Sequence, residues 1–324
     1  MTNFEVYRKT LSFSLVMFLI DLFAMFVVAG FATGGFFIMN NSTDKALIGL
    51  GVGAVIGIIF AVLIEIFIRN RFKAAQISMM TMGVVEGKLP ENTFKEGINS
   101  VRGRFGKITT FFLITSLIKG VFRQLGRGLE RVGKAVGGDV GEGITSAINS
   151  AIEILIGYLC DCCLGWVLYR KDENGFKAGC EGAVIFFKHG KTLIRNIGRI
   201  FGMGFISLAV IGGAFFGLFY LVYSNFPQMF NALANEIAEI ATRNNGTAPD
   251  WLTNPTILTI IVAGISALIM FSSIHSVLIR PFILVGVLRN FMAAGIKDIP
   301  TEQDFSELDN KFHKFQRMHQ RFQE

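Results

Sequence analysis

The sequence predicts an all-α, polytopic helical membrane protein with four firm transmembrane helices. Two further apolar segments are ambiguous: re-entrant, interfacial or spanning. Three observations carry this reading. Hydrophobic residues fill 52% of the 324 positions and charged residues only 17%, against roughly 45–50% and about 25% in soluble domains. The apolar residues are gathered into long runs and do not recur at the spacing of a soluble amphipathic helix. The lysines and arginines, which bring the net charge to +7, stand just beyond the ends of those runs, where topogenic charges belong. This placement makes anionic membrane lipids the expected partners of the positive charge and argues against nucleic acid.

The N-terminal hairpin covers residues 1–68. Its first run, Leu11–Met39, would extend about 43 Å as a helix, longer than the roughly 30 Å hydrocarbon core. Either it tilts strongly or its first turns lie in the interface, and Asp21, as a carboxylate at the inner headgroup level, supports the second. Asn40–Lys45 form a polar turn, and Ala46–Ile68 returns. Gly49, Gly53 and Gly57 recur every four residues, a small-residue stripe along which two membrane helices can approach closely. Glu65 and Arg69 are spaced to pair as the helix leaves the membrane. Arg69, Arg71 and Lys73 put this end in the cytoplasm, and Arg8 with Lys9 put the N-terminus on the same side. The first run is too long for a cleavable signal peptide, and no small-residue cleavage site follows it.

Residues 69–107 read as a cytoplasmic segment. The middle region, 108–199, begins with the short apolar stretch Ile108–Phe122. From there Lys119, Arg123, Arg127 and Arg131 recur every four residues, with Lys134 beyond, opposite a face of Val121, Leu125, Leu129, Val132 and Val136. This is a basic amphipathic helix suited to lipid headgroups or a partner. Ile144–Tyr169 follows, a longer apolar segment that carries Glu153 and Asp161, eight residues apart and so assigned close to one face. Residues 172–199 form a basic connector. If both middle segments cross, Arg123, Arg127 and Arg131 lie outside, against the positive-inside rule. If neither crosses, an apolar segment of 26 residues must lie re-entrant or interfacial. The expectation is six membrane-embedded segments, with the middle pair undecided.

Residues 200–296 hold the C-terminal hairpin. Gly202–Tyr223 is a transmembrane helix with Gly213 and Gly217 as a packing pair. The outer loop, 225–254, contains an amphipathic stretch from Phe230 to Ala241 and a sequon at Asn245. Thr256–Val277 returns, Arg280-Pro281 is expected to break the helix, and Phe282–Ile296 forms a short apolar segment. The cytoplasmic tail, 297–324, repeats Phe305, Leu308, Phe312 and Phe315 at helical spacing. The whole reads as a single multi-pass domain of the cell membrane with both termini cytoplasmic.

No catalytic constellation is present. There is no His-Glu-x-x-His, no phosphate loop, no complete dinucleotide fingerprint and no nucleophile elbow. The expectation is therefore no enzyme, no cofactor and no metal. Cys160, Cys162, Cys163 and Cys180 lack zinc-ligand spacing. They read as reduced thiols, with palmitoylation or a metal site as alternatives. A buried charge in a bilayer costs at least about 2.5–3.5 kcal/mol, so Asp21, Glu153, Asp161 and His275 are candidates for a polar pathway. Arg280 joins them as a charge in an apolar run. For each, a contact at the interface or between helices is the competing explanation.

A partial resemblance rests on residues 105–201. It comprises Gly106, the apolar stretch from Thr115 to Arg123, a basic glycine-containing linker, the Cys160-x-Cys-Cys segment, and Phe186 to Asn196. This order resembles the central part of the choline-transporter-like membrane proteins, and equally an uncharacterised prokaryotic family of integral membrane proteins. The first family has more spans than fit here. The expected function, a channel or transporter for a small solute or ion, rests on the glycine packing stripes, the short segments that could be re-entrant, and the acidic residues in a middle segment. The alternative is a non-catalytic scaffold or assembly component with a protein partner at its cytoplasmic face, or a homo-oligomer.

Overall fold

A computed structural model describes residues 1–39, 43–104, 113–121, 123, 142–194, 197–243 and 249–323. Every element among them is helical. The chain forms two units, one of residues 1–198 with 280–324 and one of residues 199–279.

The first unit begins with α1 (Asn3–Lys9), whose N-terminus is closed by a reciprocal capping box between Thr2 and Glu5. Helices α2 (Leu11–Ile38) and α3 (Thr43–Ile64) form the expected hairpin. Its contact is made by glycines. A Cβ at Gly53 would collide with the carbonyl of Phe31, and one at Gly49 with that of Gly35. At Gly57 a Cβ would stand 2.7 Å from the Val28 Cα. No larger side chain fits where the backbones come this close. The outer surface is apolar and bare, with Leu19, Phe23 and Phe26 about 60–70% exposed (61%, 60% and 68%).

A π turn, Glu65–Arg69, then leads into α4 (Asn70–Val85). The environment changes here. Every residue from Ala74 to Thr81 is buried in protein. Helix α4 is the centre of a bundle with α5 (Thr93–Arg104), α6 (residues 113–121), α7 (Glu142–Tyr169) and α8 (Gly175–Ile194). Later helices of the same unit complete it: α14 (Arg280–Lys297), α15 (Glu302–Lys311) and α16 (His313–Gln323). Several of its polar core groups are paired. Gln76 Nε2 donates to Ser14 Oγ at 2.7 Å and to the Thr10 carbonyl at 3.2 Å. Trp166 Nε1 donates to Glu181 at 2.8 Å, and Arg170 pairs with the same carboxylate at 3.2 Å.

The second unit contains α9 from Arg199 onward (Ile197–Ser207 in full), a π turn at Leu208–Gly212, and α10 (Gly213–Ser224). It continues with α11 (Pro227–Arg243), α12 (Asp250–Thr253), α13 (Pro255–Ile274) and a π turn at His275–Ile279. The expected amphipathic stretch is α11, which lays Phe230 and Ala234 against Leu258 of α13. Tyr223 and Ser266 share a hydroxyl hydrogen bond of 3.0 Å between α10 and α13. Ala263 and Ala267 are the small residues buried on α13. At Gly213 and Gly217, by contrast, an added Cβ meets nothing within 4 Å.

Four helices are long and apolar enough to cross a membrane: Leu11–Ile38, Ile48–Val85, Gly202–Ser224 and Pro255–Lys297. These contain the four firm spans, and the chain is a multi-pass membrane protein of the all-α class. The longer middle segment has a source of apolarity besides lipid. Leu155, Ile156, Leu159, Leu164, Trp166 and Val167 of α7 are at most 8% exposed, covered by α4, α8 and α14. A helix sheathed by protein needs no lipid to cover it. The short apolar segment after Arg280 has the same cause, since Ile283, Leu284, Val285, Leu288 and Phe291 are all buried.

The break expected at Arg280-Pro281 does not occur. Pro281 lies in the first turn of α14, directly after a π turn. Its missing N–H falls where the helical hydrogen-bond register is already shifted, so the chain stays helical. The tail is two helices, with Phe312 extended between them. Phe305, Leu308, Phe315 and Met318 are buried in the bundle.

Candidate functional site

The candidate site lies where the exposed apolar surface of α3 ends and the bundle begins. Asp161 of α7 is the centre. Its Oδ1 is 2.6 Å from Lys73 Nζ of α4, and its Oδ2 is 2.7 Å from Arg280 Nη2 of α14. The carboxylate side chain is only 6% exposed, while its two cations remain 28% and 32% exposed. Arg280 also lies over the Tyr158 ring, 5.5 Å from its centroid, a cation–π contact. Burial alone would raise the Asp161 pKa, but the charges of Lys73 and Arg280 outweigh it and hold the carboxyl below its ordinary value. One carboxylate thus ties three helices together and stays ionised.

Beside this triad is a cavity of about 320 Å³. Its polar wall is made by Asn70 and Lys73 from α4, Thr115, Ser116 and Lys119 from α6, and Asp161 from α7. Ile66, in the π turn, contributes the apolar wall nearest the hairpin. A second, larger cavity of about 580 Å³ lies along the α2–α3 hairpin and is lined by glycines and apolar side chains.

The residues singled out by sequence separate in space. Asp21 pairs with Arg69 at 2.7 Å, across the hairpin, and Arg69 also meets Glu65 at 3.5 Å. Glu153 is 61% exposed and stands 3.8 Å from Arg123, away from the buried Asp161. Eight residues at 100° each leave the two carboxylates about 80° apart around the helix, enough to put one in the core and one outside. His275 belongs to the second unit, with its ring 5.4 Å from that of Phe271. Arg127, Arg131, Lys134 and the sequon at Asn245 lie outside the described residues. Lys119 is at the cavity.

Lys73 was legible in the sequence only as a topogenic charge. The available signal was its position, immediately before twelve uncharged residues, Ala74 to Val85.

The cysteines are all buried and unbridged. Burial pushes the Cys160 thiol up to about 12 and drives Cys162 and Cys163 well above their ordinary value. They are neutral packing groups, out of reach of an acylating partner. Among the described residues, no group of three or more His, Cys, Asp or Glu side chains is placed to hold a metal ion. No family model, curated protein or solved structure matches the chain, so the functional reading rests on geometry alone.

Proposed function

We propose that this chain is a non-transporting integral membrane component. Its apolar hairpins hold the helical bundle at the cytoplasmic face of the cell membrane, where the bundle docks another protein. The observation that supports this reading is the pairing of the charges near the apolar segments. Asp21 is joined to Arg69, and Asp161 to Lys73 and Arg280. These contacts join helices to one another. The outward side of the C-terminal helix α16 adds a docking surface, with His313, Lys314, Arg317 and Arg321 all exposed.

The test compares the wild-type chain with an Arg317→Glu, Arg321→Glu variant, each solubilised from native membranes in mild detergent. The docking reading expects an assembly heavier than the 35.7 kDa chain, reduced to the chain in the variant. Deleting the tail is a poor substitute, because Phe305, Phe315 and Met318 would leave the core. The opposing reading, a solute transporter, is favoured by the polar cavity at the membrane end of the bundle. Protein-dependent flux in proteoliposomes that Asp161→Asn abolishes, with no partner in the assembly, would replace the docking reading by this one.

A further inference from the structure

We propose that the cavity walled by Lys73, Ser116 and Lys119 binds a phosphate group, supplied by the headgroup of an anionic phospholipid. The inference stands apart from the docking reading and on three observations.

The first is charge. Lys73 and Arg280 share a single carboxylate, Asp161, and each holds one of its oxygens. The triad therefore carries a net positive charge, and Lys119 of α6 adds another at the cavity. Of the triad, Lys73 and Asp161 line the cavity, so with Lys119 its wall carries a net single positive charge. The second is hydrogen-bonding chemistry. An ammonium has three N–H donors, and the Lys73–Asp161 contact uses one. Asn70, Ser116 and Thr115, which carry amide and hydroxyl donors, are among the residues lining the same space. Ammonium, amide and hydroxyl donors around one cavity suit an oxyanion, because hydrogen bonds to a charged acceptor are the strong ones. A volume of about 320 Å³ is at the lower end of small-molecule sites.

The third is location, and it selects the source. On α3 and the π turn after it, Ile58, Ile59, Val62, Leu63, Phe67 and Ile68 remain exposed, 42–55%, and require lipid around them. Asn70 and Lys73 follow within the next five residues. The cavity shares Ile66 with this apolar surface and so opens at the level where acyl chains give way to headgroups. A free phosphate in water would have no reason to be met by a site at this depth, whereas a phosphodiester is held there already. Lys314 of α16, whose side chain stands against Gly120, extends the basic rim on the bundle side.

The test uses the full chain in a zwitterionic detergent and follows thermal unfolding with three additions at matched ionic strength. These are short-chain phosphatidylglycerol, inorganic phosphate, and phosphatidylcholine of the same chain length. The expected result is stabilisation by phosphatidylglycerol that saturates and exceeds the effect of phosphatidylcholine. Lys119→Gln, at an exposed position, should weaken the apparent affinity about tenfold. Lys311→Gln, on α15 and paired with Glu307, should leave it unchanged. Protection by inorganic phosphate alone, with the same response to Lys119→Gln, would overturn the lipid source and leave a soluble phosphorylated ligand. Equal protection by phosphatidylcholine, or an affinity indifferent to Lys119→Gln, would overturn the site. Should Lys119→Gln fail to fold, Ser116→Ala at the same wall makes the same comparison.

Discussion

Replacing Asp161 by Asn should be among the most damaging single changes in the bundle. The side chain keeps its size but loses the charge that faces Lys73 at 2.6 Å and Arg280 at 2.7 Å. Removing one partner of a buried ion pair typically costs about 3–5 kcal/mol, because the other charge is left without compensation. Here two cations are left, each nearly a third exposed, so water offsets part of the loss and the lower end, about 3 kcal/mol, is expected. At about 2–4 °C per kcal/mol for a unit of this size, the midpoint should fall by roughly 6–12 °C. The assay is far-UV circular dichroism on heating in detergent, with all variants at one protein and detergent concentration. Adding Lys73→Met to Asp161→Asn removes one of the stranded cations and should recover at least about 1 kcal/mol, a coupling of the size expected between residues in contact. An Asp161→Asn variant that melts within about 2 °C of the parent would refute the reasoning, as would a double variant less stable than the single one.

Gly53→Ala should destabilise the α2–α3 hairpin by about 1–3 kcal/mol, since the added methyl meets the Phe31 carbonyl. Gly51→Ala, with nothing within 4 Å, should stay within about 0.5 kcal/mol; equal effects in thermal melts would contradict the glycine contact. The attachment of α15 should weaken in acid. Burial works against the charge of Asp304, but the Thr301 N–H, the Thr301 hydroxyl and Lys188 outweigh it and lower its pKa below 3.8. Its contribution is therefore complete above the unfolded value and is lost as pH falls through the lower folded one. Thermal melts between about pH 5 and pH 3 should lose this slope in Asp304→Asn. Fluorescence should divide the two tryptophans, because Trp166 is 1% exposed and Trp251 51%. Acrylamide should quench the Trp251 component and spare that of Trp166, and Trp251→Phe should leave a blue-shifted, protected emission.

The hairpins were legible because their sequences admit one solution. Leu11–Ile38 and Gly202–Ser224 are apolar on every face, and only lipid or a large core can cover such helices. The α2–α3 contact was legible too, since Gly49, Gly53 and Gly57 mark one line along the helix. The bundle was not. A helix surrounded by protein and one surrounded by lipid have the same composition, so the periodicity of α7 and α14 could not separate them. Only long-range partners do so: Arg280 reaches back to Asp161 and, on the same helix, Arg289 reaches Asn3 and the Met1 carbonyl. The candidate site was half legible for the same reason. Asp161 stood out as a carboxylate in an apolar run, and Lys119 as part of a basic repeat. Their meeting with Lys73 depends on how α4, α6 and α7 pack.

The contacts of Arg289 with the first residues of the chain have a consequence for biogenesis. Helix α4 is complete at Val85, but α14, which covers it, begins at Arg280. About 200 residues must be made between them, which takes on the order of 10–40 s at 5–20 residues per second. During that interval the nascent chain has an inserted hairpin whose adjoining helix still lacks α14. The topology leaves α4 without this part of its cover until residues 280–324 emerge. Truncations ending before Arg280 should be aggregation-prone even though both hairpins have been synthesised.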